Sequence, residues 1–252
     1  MTRFRITLEY DGTDLIGWQE NRQGPSVQSI LRDAIYAFCG VRPDIVAAGR
    51  TDAGVHALGM VAHFDLDGAF DANTVMRAVN FYLAEKPVVI LSCDVVADDF
   101  NARFDCTARH YRYVVLNRRA APVLNKNRVW WVPRKLNIDA MRAAATHLIG
   151  HHDFTSFRAT QCQAKSPIKT LDACNIITDG DNVIFEFSAR SFLHHQVRNM
   201  VGTLVEIGLG KPYDIDEIFA ACNRSAAGPT APASGLYFIS ADYSTDASHS
   251  DI

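Results

Sequence analysis

Over residues 6 to 96 the hydrophobic pattern switches between a period of two and a period near 3.6, and the order of the switches admits few folds. Ile6-Thr7-Leu8-Glu9-Tyr10 alternates and closes at Asp11-Gly12, as a strand entering a turn does. Val27, Ile30, Leu31, Ala34, Ile35 and Phe38 then fall on one helical face, with Pro25 near its start and Gly40 just past its end. Ile45-Val46-Ala47-Ala48 is a short apolar run that suits a strand, and a Gly-rich loop follows from Gly49 to Gly59. Met60 to Phe64 reads as another strand, Val75, Ala78, Val79 and Tyr82 as a second helical stripe, and Val88 to Leu91 with Val95-Val96 as the last strand. The order β-α-β-β-α-β is the split unit in which both helices cover one face of an antiparallel sheet.

The second half repeats the theme loosely. Tyr111 to Leu116 is strand-like, Val129 to Val132 is a short apolar run, and residues 138–149 predict an Ala-rich helix ended by Gly150. Leu171 to Ile177 and Val183 to Ser188 flank Asp179-Gly180-Asp181-Asn182, a hairpin signal. Phe192 to Leu209 carries Val197, Met200, Val201, Leu204 and Val205 at helical spacing. Ile215, Ile218, Phe219 and Cys222 suggest one more short helix, and Leu236 to Ala241 a closing strand. The expectation is an α+β protein of two related β-α-β-β-α-β-type halves with antiparallel sheets, residues 1–105 and 106–252, and a catalytic cleft between them. The tail after Tyr243 is small and polar and is expected to fray.

A chain of 252 residues with 48% hydrophobic and 21% charged side chains can bury a full core. No stretch has the roughly 18 uninterrupted apolar residues of a membrane span. The N-terminus holds no apolar signal core, so a cytoplasmic location is expected. The six cysteines form no Cys-x-x-Cys pair, which argues against a zinc site and leaves buried thiols as the expectation. The net charge of −3 speaks against a polyanion partner only as an average. Residues 101–142 hold 10 basic and 2 acidic side chains, while both flanks are acidic. One segment thus holds most of the positive field.

The richest candidate for chemistry is Gly49-Arg50-Thr51-Asp52-Ala53-Gly54-Val55-His56-Ala57. It joins two strands and sets an acid, a guanidinium and a histidine among small residues that let a substrate approach closely. Asp52 is a candidate nucleophile or general base, and Arg50 a candidate for holding an anion or stacking on a base. An ordinary Asp-Ala-Gly turn with a surface ion pair is the plainer alternative, and the residues alone leave both open. His147, His151, His152 and Asp153 have the donors of a metal phosphohydrolase, but such sites suit an all-helical pocket, so helix-end and turn histidines are expected. Thr51-Asp52-Ala53-Gly54 lacks the order and the second copy of an aspartic protease. His194, His195 and Arg198 meet at a helix start, where Arg198 is a helix-surface cation or the partner of a buried acid.

The basic segment interleaves charge and rings: Arg103-Phe104, Arg109-His110-Tyr111-Arg112-Tyr113, Arg118-Arg119 and Arg128-Val129-Trp130-Trp131. Cations track phosphates while rings stack on splayed bases. On a strand, Arg112 faces one side and Tyr111 and Tyr113 the other. Core packing is the expectation for Trp130 and Trp131.

Gly49 to Ala57 resembles the active-site motif of the bacterial tRNA pseudouridine synthase A family. The likeness runs nearly the whole length, through Tyr10-Asp11-Gly12-Thr13, Gly17-Trp18-Gln19, Pro25-Ser26-Val27-Gln28, Phe100-Asn101-Ala102-Arg103-Phe104 and Tyr111-Arg112-Tyr113. It continues through His152-Asp153-Phe154, Ser156-Phe157, Val197 to Gly202 and Ala231 to Tyr237. The resemblance implies an isomerase that turns uridine into pseudouridine at positions 38 to 40 of the tRNA anticodon stem-loop, with no metal, nucleotide or redox cofactor. It implies Asp52 as the catalytic aspartate, Arg50 as the arginine associated with base flipping, Tyr111 as the active-site tyrosine and Arg198 as the ion-pair partner of the aspartate. Arg109, Arg112 and His56 join Tyr111 as candidate substrate contacts. Partners implied are tRNA and a second copy of the chain. His194-His195-Gln196 and Ser166-Pro167-Ile168-Lys169 depart from the family's usual pattern and bear on the pocket lining and phosphate contacts.

A non-catalytic RNA-binding module and a metal phosphohydrolase are the competing readings. A carboxylate in a Gly-rich loop favours the enzyme, because a pure binder gains nothing from an acid facing phosphates.

Overall fold

The computed structural model describes residues 1–244; the expected fraying of the tail falls partly on Thr245–Ile252, outside the described residues. The fold is mixed α and β, with a mostly antiparallel sheet and five α-helices among the described residues. By contact clustering the chain forms two compact units, Met1–Arg109 together with the chain from Tyr237 onward, and His110–Leu236.

In the first unit the order is β1 (Thr2–Tyr10), α1 (Val27–Cys39), β2 (Val46–Ala47), β3 (His56–Leu66), α2 (Ala72–Leu83) and β4 (Val88–Val96). The strands lie β4-β1-β3, with β2 also on β3. β1 runs antiparallel to β3, with Phe4 opposite Phe64 and Leu8 opposite Met60. Its alternation buries Phe4, Ile6, Leu8 and Tyr10 on one face, as the period of two requires. α1 starts where Ser26 and Ser29 exchange hydrogen bonds in a capping box, and it stops at Gly40, whose φ of 75° is left-handed. α2 starts at Asp71, whose carboxylate accepts from the Thr74 N–H at 2.9 Å. It buries Val75, Val79 and Leu83 and leaves Tyr82 exposed, so Leu83 takes the place expected for Tyr82.

β3 is longer than the alternation suggested and takes in His56 and Ala57. The last strand, β11 (Leu236–Tyr243), explains this. It pairs parallel with β3, Tyr237 against His56 and Phe238 against Ala57. The closing strand, expected within residues 106–252, belongs from Tyr237 to the first unit. A parallel neighbour far along the chain leaves no local signature.

β5 (Cys106–Leu116) belongs to the first unit up to Arg109 and continues in the second. The second unit adds β6 (Trp130–Trp131), α3 (Ile138–Thr146), β7 (Gly150–Asp153), β8 (Ile168–Leu171), β9 (Ala173–Asp179), β10 (Asn182–Ala189), α4 (Gln196–Gly208) and α5 (Ile215–Ala221). β10 lies between β5 and β9, and the expected hairpin is present, with Asn182 opposite Asp179. α4 begins later than the spacing predicts because His195 sits at a φ of 64° and breaks the helical path. The chain from Gly228 to Ala231 then crosses α4 so closely that a Cβ on Gly202 would overlap the Pro229 carbonyl. Of the six cysteines, only Cys106 and Cys174 are fully buried, and Cys222 is exposed.

Candidate active site

The loop from Ala48 to Val55 joins β2 to β3 and is held chiefly by backbone. The segment after β1 lies against it: the Trp18 N–H donates to the Thr51 carbonyl at 3.0 Å, and the Gly54 N–H donates to the Leu15 carbonyl at 3.2 Å. Two glycines allow the approach. Gly17 has a φ of 105°, and a Cβ there would stand 2.5 Å from the Thr51 oxygen. A Cβ on Gly12 would overlap the Val55 carbonyl. Beneath the loop the Thr51 and Tyr10 hydroxyls are 2.9 Å apart and buried. Asp52 is thus flanked by pinned residues, and its own carbonyl accepts from the Val55 N–H at 3.2 Å. Its side chain is half-buried, while Arg50 is exposed. A carboxylate on a backbone fixed from both sides is presented without an ordering cost at the moment of reaction.

His56 was expected to touch substrate. The structure buries it. It is 2% exposed, accepts the Gly12 N–H on Nδ1 at 3.1 Å, and stacks on Tyr237 with ring centres 4.8 Å apart. Its Nδ1 is also 3.1 Å from an Asp11 carboxylate oxygen. His56 therefore ties the start of β3 to the turn after β1 and to β11. Arg109, also a candidate substrate contact, is buried too. It is 8% exposed, and its guanidinium donates to the carbonyls of Ala48 at 2.8 Å and Arg103 at 2.6 Å. Those two bonds tie β5 to the entry of the Asp52 loop and to the loop before β5. Burial is set by tertiary contacts, so the charge pattern gave no sign of it.

In the second unit Tyr111, Tyr113 and Val115 share the buried face of β5, and Arg112 faces the other side, as alternation predicts. Tyr111 meets Phe192 edge-to-face at 5.0 Å. Arg112 pairs with Glu186 on β10 at 2.8 Å. Tyr113 donates its hydroxyl to the Pro232 carbonyl at 2.7 Å, and burial pushes its phenol pKa well above the ordinary value, with the Arg198 charge opposing the rise. Arg198 lies in the first turn of α4. Its Nε donates to the Ala231 carbonyl at 2.8 Å, and the Ala231 N–H returns to the Arg198 carbonyl at 3.1 Å. That clamp fixes where the guanidinium stands. The sequence marks Tyr113 only as a ring opposite Arg112 and gives the crossing at 228–230 no role; the glycines at 202, 228 and 235, where a Cβ would crowd Pro229, Thr203 and Tyr113, were the available signal.

The histidine cluster at 147–153 does not converge. His147 pairs with Asp216, His151 with Thr170, and His152 donates from Nε2 to the Ile149 carbonyl at 2.9 Å while stacking on Phe219 at 4.5 Å. Trp131 is 39% exposed and donates to the Arg118 carbonyl, so core packing does not hold for it, whereas Trp130 is half-buried edge-to-face against Tyr113. The Ser166–Lys169 departure opens β8, where Ile168 pairs with Asp153 of β7.

Comparison with known proteins places the chain. A family model described as tRNA pseudouridine synthase matches residues 144–244. The chain is 51% identical over 242 residues to tRNA pseudouridine synthase A of Rhodospirillum rubrum, covering 95% of this chain and 87% of that one. It is 50% identical to the same-named protein of Paramagnetospirillum magneticum, over 97% and 96% of the two chains. For that of Rhodospirillum centenum the identity is 53%, over 96% and 100%. These likenesses define a pseudouridine synthase. The chain belongs to the tRNA pseudouridine synthase A family.

Proposed function

We propose that this chain converts uridine to pseudouridine at positions 38 to 40 of the tRNA anticodon stem-loop, with Asp52 as the catalytic carboxylate. Its family makes it an isomerase that forms pseudouridine in tRNA. The observation that carries the proposal is the presentation of Asp52 on a loop whose neighbours on both sides are tied by backbone hydrogen bonds.

A uridine stacked in a stem hides C1′ and C6, so it must first leave the stack, at a cost of a few kcal/mol. Arg50, exposed beside Asp52, suits the flipped base or its phosphate, and Tyr111 suits packing against the uracil. Arg112 suits a backbone contact on the exposed face of β5. Arg198, held by Ala231, supplies positive charge that favours an ionised carboxylate. Ionised Asp52 acts as nucleophile or base. The N-glycosidic bond breaks, the uracil turns, and C5 bonds to C1′. The C5 proton leaves, and N1 gains a proton, so atoms balance with no oxidant or reductant. His56 and Arg109 hold the loop in place.

The reading also takes the enzyme as a cytoplasmic homodimer that needs no metal or cofactor. Mass measurement in solution and assay in chelator test these points. Among the described residues no helix is long and apolar enough to cross a membrane. The test of the central reading is to incubate wild type and Asp52→Ala with unmodified tRNA and map pseudouridine. Wild type should modify positions 38 to 40, and the variant should bind tRNA and modify none. Product elsewhere, or an active variant, would overturn it.

A further inference from the structure

The loop between β4 and β5 holds an exposed ring on a rigid base. Phe104 is 71% exposed, while Phe4, Phe64 and Phe238 in the same unit are fully buried. The Arg103 guanidinium stands over the Phe104 ring, 5.5 Å from its centre. The backbone beneath them is braced from several elements. Asn101 Oδ1 accepts the N–H groups of Arg103 and Phe104, and Asp105 Oδ2 accepts that of Asn101. The Ala102 N–H donates to buried His63 of β3 at 3.1 Å, and the Ala102 carbonyl accepts from the Tyr243 hydroxyl at 2.7 Å. Arg3 of β1 donates to the Phe100 carbonyl at 2.9 Å.

A lone exposed apolar side chain is ordinary. One fixed on a loop with this many anchors is preorganised, so little ordering cost remains when something stacks on it. The occupant follows from chemistry and place. An aromatic face with a guanidinium beside it suits a nucleobase and its phosphate, and the segment opens the strongly basic stretch of residues 101–142. Place comes from Arg109, whose one guanidinium bonds the Arg103 carbonyl and the Ala48 carbonyl. The loop bearing Phe104 and the loop bearing Asp52 therefore hang from the same buried fork.

We propose that Phe104, with Arg103 over its ring, is a stacking platform for a splayed tRNA base near the target uridine. The proposal rests on the reading of this chain as an enzyme acting on tRNA through Asp52. With the full chain and a fluorescently labelled unmodified tRNA transcript, Phe104→Ala should raise Kd about tenfold, the scale of one lost base stack. The slope of log K against log salt should stay unchanged, because the ring neutralises no phosphate. Phe104→Trp should restore the affinity and show tRNA-dependent quenching beyond that of wild type. Equal Kd for wild type and Phe104→Ala would overturn the platform. So would a shift of the alanine variant to a smaller oligomer with unchanged RNA affinity, which would make Phe104 a contact between copies. Wild type that binds no tRNA would sink both readings, whereas an active Asp52→Ala would sink only the catalytic one.

Discussion

The hydroxyls of Tyr10 and of Thr51, the residue that precedes Asp52, lie 2.9 Å apart in the interior. Both side chains are buried, at 3% and 8% exposure, so neither hydroxyl can turn to bulk water if the other is removed. Tyr10→Phe should therefore cost about 1–2 kcal/mol, while Tyr10→Phe with Thr51→Val should cost less than the two singles together. Urea denaturation of the four proteins measures this. Strict additivity would show that the pair carries no coupling.

Gly17 tests the backbone clamp. Alanine there meets a left-handed φ and a carbonyl oxygen 2.5 Å from its Cβ. Gly17→Ala should lose at least about 2 kcal/mol of stability or displace the Asp52 loop. The two outcomes differ in readout: a lower urea midpoint, or a fall in turnover with the midpoint kept. A variant unchanged in both would mean the loops are not held as described.

His63 gives the fold a pH dependence. Burial chiefly, with the Arg3 charge, pushes its pKa below the ordinary 6.5, while Asp65 and Asp105 oppose the shift. The neutral ring is also the form that accepts the Ala102 N–H on Nδ1. The unfolded chain takes up a proton near pH 6.5, and the folded chain does so only at lower pH. Stability should thus be full above about pH 7 and decline as pH falls through 6.5 toward the folded value. His63→Gln should flatten that part of the profile. The same slope in both proteins would remove His63 as its source.

The basic segment divides into cations that hold the fold and cations that face solvent. Arg109 is buried on carbonyls, and Arg119 is exposed. Arg119→Ala should lower the salt slope of tRNA binding by about 1. Arg109→Met should leave that slope unchanged and destabilise the fold. A folded Arg109→Met protein with a reduced slope would return Arg109 to the RNA surface.

Local patterns were readable in advance. The β-α-β-β-α-β order of the first unit, the start of α1 near Pro25 with its stop at Gly40, and the turn at Asp179–Asn182 all follow from short-range chemistry. Partners distant in the chain were not readable. Nothing near Tyr237 announces that it will pair with His56, and nothing near His195 announces a left-handed backbone that delays α4. At the site the same division holds. Asp52 and Arg50 stand out by type and spacing, whereas the inward turn of His56 and Arg109 depends on which carbonyls and rings the fold brings to them.

Asp52 remains the centre of the account, and mapping pseudouridine in tRNA treated with Asp52→Asn tests it most directly. Asparagine keeps the shape and removes the charge. The variant should bind tRNA with near-wild-type affinity and form pseudouridine at positions 38 to 40 at least about a hundredfold more slowly. Modification at the wild-type rate would contradict it.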